Sequence, residues 1–215
     1  MERYLEKATA FFDIPLDLRT RVLIFIAALT VVPVFSLPLW TMRFESPRYP
    51  EGLGMEIYAH RLIGANDTDL MEINALNHYL GMPMVDEKNL SQFLWFPFLL
   101  GVTIMLCFRV IVLGRMSKLV DLFFLYVYSV LFALWSFRST LYSWGHTLNP
   151  FATVKIEPFT PPLWGYVSVA EIDVYSAPGV GVIFLVAIPL LLVAGILISR
   201  KTWLKDHQPK RDYIS

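Results

Sequence analysis

The stretch EINALNHYLGMPM, Glu72 to Met84, places the imidazole of His78 close in sequence to the thioethers of Met82 and Met84. Thioether and imidazole donors suit Cu(I), whereas magnesium and calcium take oxygen-rich cages. Met55, His60 and Met71 come earlier in the chain, and His146 follows in GHTLNP, a glycine-led turn. The candidate metal ligands are therefore His78, Met82, His146, His60, Met55 and Met84, and copper is the cofactor that fits their chemistry. They form no dense Met-x-x-Met array, and methionine also fills gaps in apolar cores. Two readings stay open: these side chains hold copper, or they are the packed lid of a helical bundle.

Other chemistry is unmarked. The single cysteine, Cys107, sits in an apolar run, so an internal disulfide, a CxxC redox pair, a cysteine-built zinc site and a c-type haem attachment are all excluded. The four histidines are His60, His78, His146 and His207, and none falls inside an apolar span. No haem clamped between membrane helices is expected. There is no G-x-S-x-G, no H-E-x-x-H and no phosphate-cradling loop, so the chain is not expected to be an enzyme acting alone. With 18 basic and 18 acidic residues the net charge is zero, which gives no electrostatic reason to expect nucleic acid as a partner.

The elements that must position these ligands follow from hydropathy. Of 215 residues, 56% are apolar and only 17% charged, which places the chain in a lipid bilayer. A hydrocarbon core needs about 20 predominantly apolar residues per helix, and four stretches supply them: 22–42, 92–113, 119–137 and 179–199. Pro33 and Pro38 should kink the first. Arg109, near the end of the second, is expected to pair with Asp121 at the start of the third across a tight hairpin.

Basic residues cluster in the tail 1–21, in the short loop carrying Arg115 and Lys118, and in the tail 200–215. These segments are expected in the cytoplasm. The loops 43–91 and 138–178 hold six basic against eleven acidic residues and are expected outside. The result is a multi-pass protein of the bacterial inner membrane with both termini cytoplasmic. The first span reads as an uncleaved anchor, because its basic leader is long and no A-x-A cleavage pattern follows. Ahead of it, Tyr4, Leu5, Phe11 and Phe12 interleaved with charges suit either a helix on the inner surface or a solvated tail.

Within the first loop, LGMEIYAHRLI is compatible with either a strand or a short helix, and its alternation favours the strand. Asp69 and Glu72 then resemble a capping box, and Gly81 followed by Pro83 marks a stop, giving a helix over 70–80 with Ile73, Leu76 and Leu80 as its buried stripe. Met71, Asn74 and His78 share another face. In the second loop ATVKIEPF and YVSVAEIDVYS read as extended segments around a Pro161-Pro162 turn. The expected fold class is all-α integral membrane: a four-transmembrane-helix bundle with two long extracytoplasmic loops forming a small mixed cap.

At SPRYPEGLGMEIY, INALNHYLGM and YSWGHTLNPFATVKIEPFTPPLWG the chain resembles a family of small four-span bacterial membrane proteins encoded with the maturation genes of nitrous-oxide reductase, a copper enzyme. The resemblance spans roughly residues 40–180. It implies a role in copper delivery or assembly and favours His78, Met82 and His146 as ligands. The chain departs from the family at Asn149, where the family pattern more often has Asp. The expected function is an accessory membrane protein presenting a Cu(I)-binding or copper-enzyme assembly surface. The alternative is a non-catalytic subunit of a larger respiratory or other membrane complex, with the loops as docking surfaces. Either way the partners are the lipid bilayer and another membrane or periplasmic protein.

Overall fold

The computed structural model describes residues 9–169 and 171–206. Tyr4, Leu5 and the first basic residues of the N-terminal tail lie outside the described residues, as does His207. Four helices are long and apolar enough to cross a membrane: Leu18–Ser36, Gln92–Leu113, Met116–His146 and Gly181–Asp206. The chain divides into two compact units, one of 1–31, 101–128 and 186–215, the other of 32–100 and 129–185.

The first unit is helical. Helix α1 (Leu18–Leu29) is capped by Asp17, whose carboxylate accepts the Thr20 N–H at 2.9 Å. After about three turns the pattern breaks at Thr30, and a short helix α2 (Val31–Ser36) resumes. Pro33 is the reason: it has no N–H to give to the Leu29 carbonyl four residues back. Inside this unit the Thr20 hydroxyl sits 3.2 Å from the Gly195 carbonyl and 2.7 Å from the Ser199 hydroxyl, both on α6 (Gly181–Asp206). Small residues let helices approach closely, and hydroxyls then bond across the contact. Helices α4 (Gln92–Leu113) and α5 (Met116–His146) are joined by only two residues. The expected Arg109–Asp121 pair is not what forms; Asp121 meets Lys118 at 3.2 Å instead, because three residues apart on one helix they face the same way.

In the second unit the all-α expectation is corrected. Five strands form one antiparallel sheet of order β3-β2-β1-β5-β4. They are β1 (Trp40–Ser46), β2 (Tyr49–Ile57), β3 (Leu62–Gly64), β4 (Gly165–Val169) and β5 (Ile172–Pro178). The first span therefore stops short of 42: Trp40, Thr41 and Met42 are already strand. Once Pro38 ends helical bonding, the chain's N–H and C=O groups need new partners, and β1 finds them on both sides, pairing with β2 and with β5. LGMEIYAHRLI does give strands, β2 and β3, and YVSVAEIDVYS folds as the β4–β5 hairpin. ATVKIEPF joins no strand. With Pro158, Pro161 and Pro162 at its end, it lacks the donors a ladder requires.

One face of this sheet carries Met42, Leu53, Met55, Ile57 and Val174, and helix α3 (Asp69–Leu80) lies among the residues packed against it. Ile73, Asn77 and Leu80 are its buried positions, together with Asp69. The helix starts one residue earlier than a capping box at Asp69 would allow: Thr68 is the cap and makes no side-chain bond. Asp69 instead turns its carboxylate to the sheet, accepting the N–H of Gly54 at 2.9 Å and of Asn66 at 3.2 Å. Glu72 accepts the Tyr49 hydroxyl, a bond that holds Tyr49 above its ordinary ionisation range. Asn74 clamps Val85 in both directions, at 3.0 and 2.7 Å. Three polar side chains thus fix how α3 seats. Replacing Asp69 with Ala strands buried donors at about 1–3 kcal/mol each, so Asp69→Ala should unfold at a clearly lower temperature in detergent, followed by circular dichroism.

Candidate metal site

Each predicted ligand has a definite place in the second unit. Helix α3 ends at Gly81, which has φ +74° and donates its N–H to the His78 carbonyl at 3.2 Å. A side chain there would be strained by the left-handed backbone, and its Cβ would press to 2.6 Å from that of Ala152. The chain after α5 crosses at this point: Asn149 donates its N–H to the Gly81 carbonyl at 2.8 Å, and Val154 donates to that of Tyr79 at 3.3 Å. Asn149 also closes its own turn by accepting the Phe151 N–H at 3.0 Å. At the other end of this irregular segment Phe159 donates to the Gly145 carbonyl at 3.1 Å. The contact is close enough that a Cβ on Gly145 would sit 1.8 Å from the Phe159 oxygen.

The histidines are outside. His78 is exposed on α3, as is Met84 beyond it. His60 is exposed on the β2–β3 turn, with its ring 6.3 Å from that of Phe35. His146 is not in a glycine-led turn: α5 runs on to include it as its last residue. Its ring stacks on Tyr142 at 3.8 Å, and its Nδ1 lies 2.9 Å from the Tyr142 carbonyl. A carbonyl only accepts, so Nδ1 carries the hydrogen, which leaves Nε2 as the atom open to a metal. That is how a metal-ligating histidine is commonly held. Among the described residues no group of three or more His, Cys, Asp or Glu side chains converges on a point.

The thioethers divide differently. Met42 and Met55 are direct cross-strand partners in β1 and β2, which sets their side chains next to one another on one face. They are 3% and 1% exposed. Both line a small cavity of about 30 Å³, and so does Met82, half-buried just past the α3 cap. Trp144 of α5 and Asn77 of α3 complete the part of the lining that carries chemistry. The rest is aliphatic or aromatic, from Ile73, Leu80 and Val174 to Phe159 and Pro161. Of the predicted ligands, then, Met55 and Met82 come together, and the remaining four are on the surface.

Met42 and Trp144 are the members that the sequence reading passed over. Met42 was counted in the first apolar span, although its position four residues after Pro38 marks it as beyond the helix. Trp144 lay in a stretch expected to be loop and is a buried side chain in the last turn of a longer helix.

Asn77 is 7% exposed and belongs to the same lining. Comparison with known proteins returns no match: no protein family, no curated protein and no solved structure pairs with this chain.

Proposed function

We propose that the protein is an integral membrane accessory protein that carries the sheet unit on the extracytoplasmic side of the bacterial inner membrane and passes Cu(I) to a copper enzyme. The observation that carries this reading is the division of soft donors within one folded unit. His78 and His146 are exposed on either side of the Gly81–Asn149 backbone bond, while methionines gather inside. An exposed imidazole with a free Nε2 is a ligand that a partner protein can reach and replace. The charge pattern supports the orientation: basic residues crowd the tails and the short α4–α5 connection, and acidic ones dominate the two loops. An acidic outer surface also raises the local concentration of cations.

A second reading, a non-catalytic subunit that docks into a larger complex, is favoured by Phe151 and Trp164, which are 92% and 79% exposed. Large aromatic side chains left in the open are common anchors for a partner. Copper separates the two readings. Under reducing, anaerobic conditions the purified full chain should hold Cu(I) against a chromogenic chelator and release it to an acceptor, and the docking reading predicts no binding above background. His78→Ala/His146→Ala should slow release to a protein acceptor by at least about tenfold while leaving the bound stoichiometry unchanged. For the orientation, epitope tags on both termini should stay protected from protease in intact spheroplasts while a cleavage site inserted at Asn66 is cut. An accessible terminus would overturn it.

A further inference from the structure

We propose that the cavity between the sheet and α3 is an interior binding site for one Cu(I) ion, with the thioethers of Met42, Met55 and Met82 as its ligands. The proposal rests on the copper-handling reading above and adds to it where the ion is held, as distinct from where it is handed over.

Two features lead to it. The first is convergence from separate parts of the chain. Met42 comes from β1, Met55 from β2 and Met82 from the turn after α3, and all three line one cavity. Methionine fills irregular gaps, but here a space remains with three methionines in its lining. Its volume of about 30 Å³ exceeds the roughly 10–15 Å³ that one water needs, and a single monovalent ion fits it.

The second feature is the choice of donors. No carboxylate, imidazole or thiolate lines the space. Magnesium, calcium and zinc, which require several oxygen, nitrogen or thiolate ligands, would find only the Asn77 carboxamide. Neutral thioethers select Cu(I). The ion keeps its positive charge, which an apolar interior opposes unless something compensates. The Trp144 ring, on the cavity wall, supplies a π face for a cation.

Asn77 is the one polar side chain of the lining, and its carboxamide oxygen is a dipole that a cation in the cavity can face. Met82 is the one thioether of the three with appreciable exposure, so exchange with the exposed imidazoles proceeds through it.

The test uses the full chain in detergent, with Cu(I) supplied under anaerobic reduction and a competing chelator as the reporter. Wild type should bind an interior ion, and Met42→Leu/Met55→Leu/Met82→Leu, which conserves volume, should lower the affinity by at least about 100-fold. His60→Ala/His78→Ala/His146→Ala should retain it. X-ray absorption at the copper edge of the wild-type complex should show sulfur scatterers, and this reading needs no variant to fold. Retained affinity in the methionine variant, or a first shell of nitrogen and oxygen alone, overturns the interior site while leaving copper handling intact. A wild type that binds no Cu(I) overturns both.

Discussion

Strand β1 is hydrogen-bonded on both edges, to β2 on one side and β5 on the other, and the second unit depends on that double pairing. Its neighbours β2 and β5 come from the two loops and lie more than a hundred residues apart in the chain. Each loop alone would offer a two- or three-stranded ribbon, marginal in water. Joined through β1 they become a five-stranded sheet with one face to bury. The strand exists because Pro33 and Pro38 end helical bonding just before it, leaving backbone groups that have to be satisfied elsewhere.

From that pairing the rest follows by side-chain direction. Alternation along β1 and β2 puts Met42 and Met55 on the buried face and leaves Thr41, Arg43 and Glu56 on the other. Helix α3 seats on the buried face through Ile73, Asn77 and Leu80. Successive helical residues are turned by about 100°, so His78, which follows Asn77, cannot point the same way. The exposure of His78 and the burial of Asn77 are one geometric fact. The outer-face ion pair of Arg43 and Glu45, at 2.8 Å, is solvent-exposed and adds little to stability. Seating is governed by the buried polar bonds of Asp69 and Asn74.

In the proposed function this separation has a use. A ligand held only by surface imidazoles is easily lost, and one held only in a closed core is slow to leave. Interior thioethers with exposed imidazoles nearby in the chain offer both storage and exchange. The irregular segment from Thr147 to Trp164 borders both, being tied to α3 at Gly81 and Tyr79 and to α5 at Gly145. Among the described residues it also carries the two most exposed aromatic side chains. A partner that grips Phe151 or Trp164 would therefore pull on a wall of the cavity, since Phe159 and Pro161 line it.

The four apolar helices were determined by the sequence alone, because a run of about 20 apolar residues satisfies its own backbone and needs no knowledge of its neighbours. The helix over Asp69–Leu80 was equally legible, since Gly81 and Pro83 stop it locally. So was the strand character of the Gly52–Ile57 stretch, from its alternation. Only the tertiary structure decided that the two loops form one sheet, because hydrogen bonding between distant segments leaves no local periodicity to read. It also decided the extra length of α5 to His146, where Ser, Thr and Arg end the apolar run without ending the helix. The lining of the cavity turned on the same point. Met42 and Met55 are neighbours through strand register, and Met82 through the seating of α3, and spacing along the chain encodes neither.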